Sequence, residues 1–510
     1  MNSMPLLTLM MAVPVLGAVV VAFLRGQAAK VAALATSLVV LVLGLIAWAR
    51  FDAGASTQFQ LAEVHSWIPQ FGVSYALGVD GIALSLIVMS VILTPICLLA
   101  AWKDVPEDEG RRVSTYFALM LVLEAFMVGV FAATDVFLFY VFFEAMLIPV
   151  YFLIGMFGGA RRQAAALKFL LFSLAGGLVM LVAVIGLYVY GPGGDKAFLM
   201  ETLTGNVGGS TTAQRLMFLG FFIAFAVKAP MWPVHTWLPD AAAAARPATS
   251  VLLVGVLDKV GTFGMIRFCL QLFPEASTWA TPVVIALAVI SVIYGAILAI
   301  GSTDMMRLVA YTSISHFGFI VLGIFALTTV GGAGSTLYMV NHGFSTAGLF
   351  LLIGFLAART GSQQMSTYGG WQRVTPILAG SFLVVGLSSL ALPGLSSFVS
   401  EFLVIQGTFQ THRVAAVIAT LGLVLAALYI LLMYQKTMTG PKPEFAEGAA
   451  PRDLSVREKV VVVPIIASFV LLGFYPKPVL DVLNPAVERT LQIVGVTDPP
   501  PAVNATESAK

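Results

Sequence analysis

Along this chain, long apolar stretches alternate with short polar ones, and neither the two-residue period of a half-buried strand nor a one-sided helical stripe dominates. Fourteen stretches begin near residues 5, 31, 80, 114, 135, 168, 215, 247, 281, 306, 336, 376, 414 and 459. Each approaches the ~20 mostly apolar residues that an α-helix needs to cross hydrocarbon. Helices are the required element, because lipid offers no partner to backbone N–H and C=O groups. The pattern predicts an all-α integral membrane protein with fourteen transmembrane helices.

Two stretches are interrupted. In FAVKAPMWPVHTWLPD (Phe225–Asp240), Lys228 ends an apolar run that begins near Leu216, and prolines follow at 230, 233 and 239. Pro230 cannot donate to the carbonyl of Ala226, nor Pro233 to that of Ala229, so the helix is expected to open just after Lys228 and leave free carbonyls near its ammonium. The second interruption is ALPGLSSFVSEF (Ala391–Phe402), where Pro393 and Gly394 precede Glu401. A discontinuous helix beside an ionisable group is the usual mark of an ion site in a transporter. One such break in each half suggests two related halves, approximately spans 4–8 and 9–13.

The loops are short enough for the positive-inside rule. Those following odd-numbered spans hold seventeen Lys and Arg residues, against seven in the even-numbered loops and C-terminal tail, so both termini are expected outside the cytoplasm. No Lys or Arg precedes Arg25, so the first stretch lacks the basic region of a signal peptide and reads as the first span. The loop Arg50–Val79, with its aromatic HSWIPQFGVSYALG, reads as an interfacial cap; the other long loops are Gly191–Gln214 and Thr437–Glu458. Residues 1–480 read as a single membrane domain with a core at about 114–435, and 481–510 as a polar, partly disordered tail.

Composition agrees: 59% of the 510 residues are hydrophobic and 10% charged. The net charge of +2 offers no basic patch for nucleic acid. Cys97 and Cys269 stand singly in apolar segments, which leaves no disulfide framework and no CxxC metal or redox site.

Subtracting the loops leaves Glu124, Glu144, Lys228, Asp258, Lys259, Arg267, His316, His342 and Glu401 within spans. Each such charge costs roughly 2.5–3.5 kcal/mol on insertion scales, so a use is expected. Arg267 and Glu124 are candidates for snorkelling to a span end or for a structural contact. At 1.5 Å rise per residue, Glu144 is about 13 Å into its span and Lys259 about 18 Å into its own, near the bilayer midplane. A lysine, unlike an arginine, can change protonation state in such a place. Burial favours the neutral amine, whereas a carboxylate ~6 Å away at an effective dielectric of ~20 favours the ammonium by about 2.8 kcal/mol. Moving that carboxylate would release the proton. Glu144, Lys228, Lys259, His316 or His342, and Glu401 thus form a candidate relay, with Glu124 and Asp258 secondary. Adjacent residues point about 100° apart on a helix, so Asp258 faces elsewhere than Lys259 or holds it charged.

FYVFFEAMLIPVYFLIG (139–155), FAVKAPMWPVHTWLPDA (225–241), RLVAYTSISHFGFIVLGI (307–324), NHGFSTAGLFLLIG (341–354) and LPGLSSFVSEFLV (392–404) resemble the antiporter-like membrane subunits of respiratory complex I, type 1 NADH:quinone oxidoreductase. Within that group the chain is most similar to the subunit M (subunit 4) family, over roughly residues 5–475. The resemblance implies two inverted five-helix repeats and one proton channel. It also implies an input pair at Glu144 and Lys228, passage through Lys259 and His316 or His342, and release at Glu401. It implies no cofactor in this chain, with NADH, FMN, iron–sulfur clusters and quinone in partner subunits and chains L and N as neighbours in a bacterial cell membrane. The sister chains and the Mrp antiporter subunits usually carry lysine where Glu401 stands. Three departures stand out. The usual DAHxxAPTxGS is here DAAAAARPATS, LLK is LDK with Asp258 beside Lys259, and glycine positions near the second break are Ser397 and Ser400. The competing readings are an Mrp-type cation/proton antiporter subunit, a membrane subunit of an energy-converting hydrogenase, and a scaffold whose buried charges are expendable.

Overall fold

A computed structural model describes residues 4–105, 110–445 and 450–498. Its helices are α1 (Leu6–Phe23), α2 (Gly26–Arg50), α3 (Gly81–Ala100), α4 (Gly110–Ala132), α5 (Val136–Phe157), α6 (Arg162–Tyr190) and α7 (Thr211–Lys228). After the first break come α8 (Leu238–Ala244), α9 (Pro247–Leu270), α10 (Pro274–Gly301), α11 (Met305–Phe325) and α12 (Thr329–Thr360). The chain ends with α13 (Pro376–Ser389), α14 (Ser396–Thr411), α15 (Arg413–Met438), α16 (Val456–Phe474) and α17 (Lys477–Val494).

Of the fourteen expected starts, eleven fall on helices and three (5, 80 and 135) on the residue just before one. Yet among the described residues only eleven helices are long and apolar enough to cross a membrane, or twelve if the bent pair α16 and α17 counts as one span. The shortfall has a local cause. Helix α7 opens with a polar turn and stops ahead of Pro230, and the twelfth stretch is cut into α13 and α14 around Pro393. Counted as spans 4–8 and 9–13, the broken segment is the fourth of five in each half.

Hydropathy does not reveal which helices stand at the centre. Over its most apolar eighteen residues α9 is wholly buried, and α11 and α12 are 94% buried, whereas the matching stretches of α1, α2 and α15 are only about a third buried. Helix α12 packs against α9, α11 and α3, and α9 also packs against α3; α9, α11 and α12 carry Lys259, His316 and His342. Both cysteines are buried core residues.

The expected all-α fold has one addition. Within Arg50–Val79, Gln60–Ile68 (β1) and Val73–Val79 (β2) form an antiparallel hairpin. Asp135, at the N-terminus of α5, accepts from the amides of Ser74, Phe137 and Leu138, which fastens hairpin to helix. Residues 481–494, read as the start of a polar tail, belong instead to α17. This amphipathic helix turns 69° away from α16 and returns against α3 and α12. Its Val482 carbonyl approaches Gly81 so closely that a Cβ there would lie 1.7 Å from the oxygen. Positions 499–510, expected to be disordered, lie outside the described residues.

Arg267 does not snorkel. Its guanidinium makes a buried 2.8 Å ion pair with Asp80, which also caps α3 by accepting from the amide of Ala83. The rings of Phe59 and Phe263, 4.7 and 5.2 Å from the guanidinium carbon, cover it.

Candidate functional site

Helix α7 ends at Lys228, as the prolines dictate, but the backbone around it is better satisfied than expected. The amide of Met231 donates to Ala226 O at 3.0 Å, and the indole N–H of the buried Trp237 donates to Val227 O at 2.9 Å. The Lys228 side chain is buried, and its Nζ has no hydrogen-bond partner among the described residues. It lies 5.2 Å from the ring centre of Phe143 and 5.5 Å from that of Phe169, close enough for cation–π attraction.

Glu144 sits one turn ahead of Pro149, where α5 kinks at Met146 because the proline cannot donate to Ala145. Its half-buried carboxylate lies against α6, and Oε1 has no hydrogen-bond partner. The space exists because residue 177 is glycine: a Cβ there would lie 1.6 Å from Glu144 Oε1. Glu144 and Lys228 attract each other across a gap without a hydrogen bond.

Helix α9 is wound loosely around Lys259. Its segments Val251–Leu257 and Met265–Leu270 are π-helical, with the Asp258 amide donating five residues back to Leu253 O. Such wide turns occur mostly at functional sites. Lys259 Nζ donates to Val254 O at 2.7 Å and meets His342 Nδ1, also at 2.7 Å. The other ring nitrogen of His342 is 3.1 Å from Thr346 Oγ1. If Lys259 is an ammonium, Nδ1 must accept and Nε2–H donates to the threonine.

From His342 the line continues. The His316 ring is 5.3 Å from that of His342, and its Nε2 is 3.2 Å from the hydroxyl of Tyr429. The Tyr338 ring is 5.8 Å from His316, and its hydroxyl donates to Glu401. The sequence left a choice between His316 and His342, whereas the structure stands both between Lys259 and Glu401. All of these side chains are buried.

The second break lies between Ser389 and Ser396, with Ala391 at φ 59° and Gly394 at φ 91°. Asn341 of α12 spans it, donating to Ser396 O at 2.7 Å and lying 3.2 Å from Ser400 Oγ. Ser400, at a position where the resemblance expects glycine, is thereby tied down. Tyr338, Tyr429, Asn341 and Thr346 were missed because only charged groups and histidines were sought within the spans; their signal was a polar atom on an otherwise apolar helix.

The two secondary candidates differ. Glu124 is buried on α4 and accepts from Ser37 Oγ of α2 at 3.0 Å, so its contact is with a neighbouring helix and not with the line. Asp258 is fully buried, and neither of its oxygens has a hydrogen-bond partner.

At one end of the bundle a cleft of about 770 Å³ opens between α6, α8 and the starts of α9 and α11. Asp240 bridges Lys168 at 2.6 Å and Arg307 at 2.7 Å there. Burial alone would raise the Asp240 carboxyl, but the two cations outweigh it and hold the group below the usual carboxylate range. In Asp104, on the same cleft, burial prevails over Arg246 and Arg457 and pushes the carboxyl up to about 6.

Known proteins share this sequence and fold. Residues 133–427 match the family described as NADH:quinone oxidoreductase/Mrp antiporter, transmembrane, and residues 6–130 match the amino terminus of NADH-ubiquinone oxidoreductase chain 4. NADH-quinone oxidoreductase subunit M of Mycobacterium tuberculosis is 49% identical over 99% of this chain and 97% of its own length. A chain of respiratory complex I from Thermus thermophilus with bound NADH superposes with a TM-score of 0.87, at 30% identity over 96% of this chain and all of that one. The Mrp complex from Dietzia sp. DQ12-45-1b shares the fold, with a TM-score of 0.82 at 20% identity over 97% of this chain and all of that one. By sequence over nearly its whole length and by fold, the chain belongs to the antiporter-like membrane subunits of NADH:quinone oxidoreductase, in the subunit M (chain 4) family.

Proposed function

We propose that this chain is a proton-translocating membrane subunit of NADH:quinone oxidoreductase, moving protons along Glu144, Lys228, Lys259, His342, His316 and Glu401. The observation that carries this reading is the buried run from Lys259 through the two imidazoles and Tyr338 to Glu401, which ends at the second helix break. The hydrogen bond from the Lys259 ammonium to His342 is already in line for transfer. Imidazoles pass a proton on by accepting at one nitrogen and donating from the other. Glu401 then releases it beside backbone that Pro393 keeps from closing into a helix. At the input, Glu144 holds the proton on Lys228 while it is near and frees it when displaced. The energy for that displacement comes from redox chemistry in other subunits of the complex.

The charge count of the loops supports an orientation with both termini outside the cytoplasm. The cleft at Asp240 then faces the cytoplasm as a water-accessible mouth. Helices α1 to α17 act as one membrane domain, in a bacterial cell membrane between subunits of the L and N type. Glutamate at 401 favours this reading over the Mrp-type antiporter, whose subunits usually carry lysine there.

The test is Lys228→Arg in the assembled complex in sealed vesicles. It keeps the charge but cannot give up the proton, so NADH-driven acidification through this chain is expected to stop; wild-type pumping would overturn the proposal. Glu144→Gln is expected to lower the proton-to-electron ratio, and an unchanged ratio would mark Glu144 as structural.

A further inference from the structure

The line described above has a gap. Lys228 ends α7 with no hydrogen-bond partner, while Lys259 is committed to Val254 and His342 on the far side of α9. Nothing yet carries a proton from one amine to the other. We propose that Asp258 is the carrier between Lys228 and Lys259, an assignment that rests on the relay reading of the two lysines.

Three observations support it. First, the Asp258 side chain is fully buried and both of its oxygens lack a hydrogen-bond partner among the described residues. A carboxyl group in that state serves no cap, ion-pair clasp or backbone contact, unlike Asp80, Asp135 or Asp304, each of which accepts from backbone amides. Second, Asp258 shares a helix face with Gly261, three residues on. That glycine touches the last turn of α7: a Cβ on it would lie 2.5 Å from both Phe225 O and Ala229 N, the residues on either side of Lys228. The face bearing Asp258 therefore looks toward the Lys228 end of α7, while Lys259, about 100° further round, looks toward α12. Third, the Asp258 charge acts on both amines. Glu144 acts on Lys228 as well, and more strongly than Asp258 does.

The transfer balances. An N–H bond of the Lys228 ammonium breaks and an O–H bond forms on Asp258, leaving a neutral amine and a neutral acid. The acid then gives its proton to the neutral amine of Lys259, and the carboxylate is restored. One positive charge has moved from the first amine to the second, and the intermediate state carries no separated charge, which suits a low-dielectric interior. The aliphatic residue that the resemblance expects at position 258 could not do this.

The test uses the intact complex in liposomes, with co-purification of this chain with the NADH-oxidising subunits reporting assembly. Asp258→Asn, which preserves shape, and Asp258→Leu are both expected to slow NADH-driven acidification about tenfold or more, below the full contribution of a positioned proton donor. Asp258→Glu is expected to restore most of it. A carboxylic C=O infrared band that appears on turnover is expected in the wild type and absent in Asp258→Asn. Acidification at wild-type rate in Asp258→Asn, or an assembled Asp258→Glu complex as slow as Asp258→Asn, overturns the proposal. If Lys228→Arg pumps normally, the relay reading itself has failed. If Lys228→Arg is blocked while Asp258→Asn pumps normally, only the assignment of Asp258 falls.

Discussion

Replacing Gly177 by alanine places a methyl carbon 1.6 Å from Glu144 Oε1, where ordinary contact begins at about 3.4 Å, so the carboxylate must retreat by about 1.8 Å. The helix tolerates the change, since alanine within a helix is favoured over glycine by about 0.5–1 kcal/mol. What changes is the attraction between Glu144 and Lys228. For charges about 6 Å apart at an effective dielectric of ~20, a 1.8 Å retreat weakens the attraction by about 0.6 kcal/mol, and the same shift inward strengthens it by about 1.2 kcal/mol. These correspond to roughly threefold and sevenfold changes in how readily Lys228 gives up its proton. Either spoils a switch that needs the proton held in one state and freed in the other. The assay is the proton-to-electron ratio of the complex in vesicles. Gly380→Ala is the control, because a Cβ there meets nothing within 4 Å. Gly177→Ala is expected to assemble normally and pump less. Shortening the acid with Glu144→Asp in the same background is expected to recover part of the loss. Gly177→Ala pumping as well as Gly380→Ala would refute the reasoning that the glycine sets the position of the carboxylate.

Other consequences follow from single contacts. Tyr338→Phe removes the hydroxyl that donates to Glu401, whose Oε2 is already without a partner. The lost bond is worth about 1–3 kcal/mol, so slower proton release in a fully assembled complex is expected. Arg267→Leu leaves Asp80 buried and unpaired, a loss of about 3–5 kcal/mol; thermal unfolding of the complex is expected to move to lower temperature, with Asp80→Asn in the same chain recovering part of it. At Asp240 the folded group titrates below its unfolded value, so its stabilisation is complete above about pH 4 and lost as pH falls through the lowered folded value. Hydrogen exchange at the starts of α6 and α11 is expected to accelerate over that range, and Asp240→Asn to show the faster exchange already at pH 7. Asp104 has the opposite sign, because its folded value is raised to about 6. Its neutral form is the one that burial favours, so stability falls as pH rises through about 6, and Asp104→Asn is expected to gain relative stability at pH 8 over pH 5 in the same melts.

Much of this protein is written in local chemistry. Long apolar runs must become helices in lipid, and a proline must leave a carbonyl without its usual donor, so the helical fold and the two breaks beside Lys228 and Glu401 were legible before any contact was known. The cost of burying charge singled out Glu144, Lys228, Lys259 and Glu401 in the same way. Tyr338 and Tyr429 were not legible, because a hydropathy reading treats a tyrosine ring as apolar and overlooks its hydroxyl. The hairpin between α2 and α3 was read only as an interfacial cap, although VSYALGV carries strand-forming residues.

What the sequence by itself determined was the list of ionisable groups in the membrane and the points where helices fail, since both follow from transfer free energy and the missing proline donor. Only the tertiary structure decided that His342 meets Lys259, that His316 stands beside it, that Gly177 makes room for Glu144, and that Gly261, three residues after Asp258, touches α7. Those relations depend on how each helix is rotated about its own axis against its neighbours. In a chain whose helices are apolar nearly all round, no one-sided stripe fixes that rotation in advance.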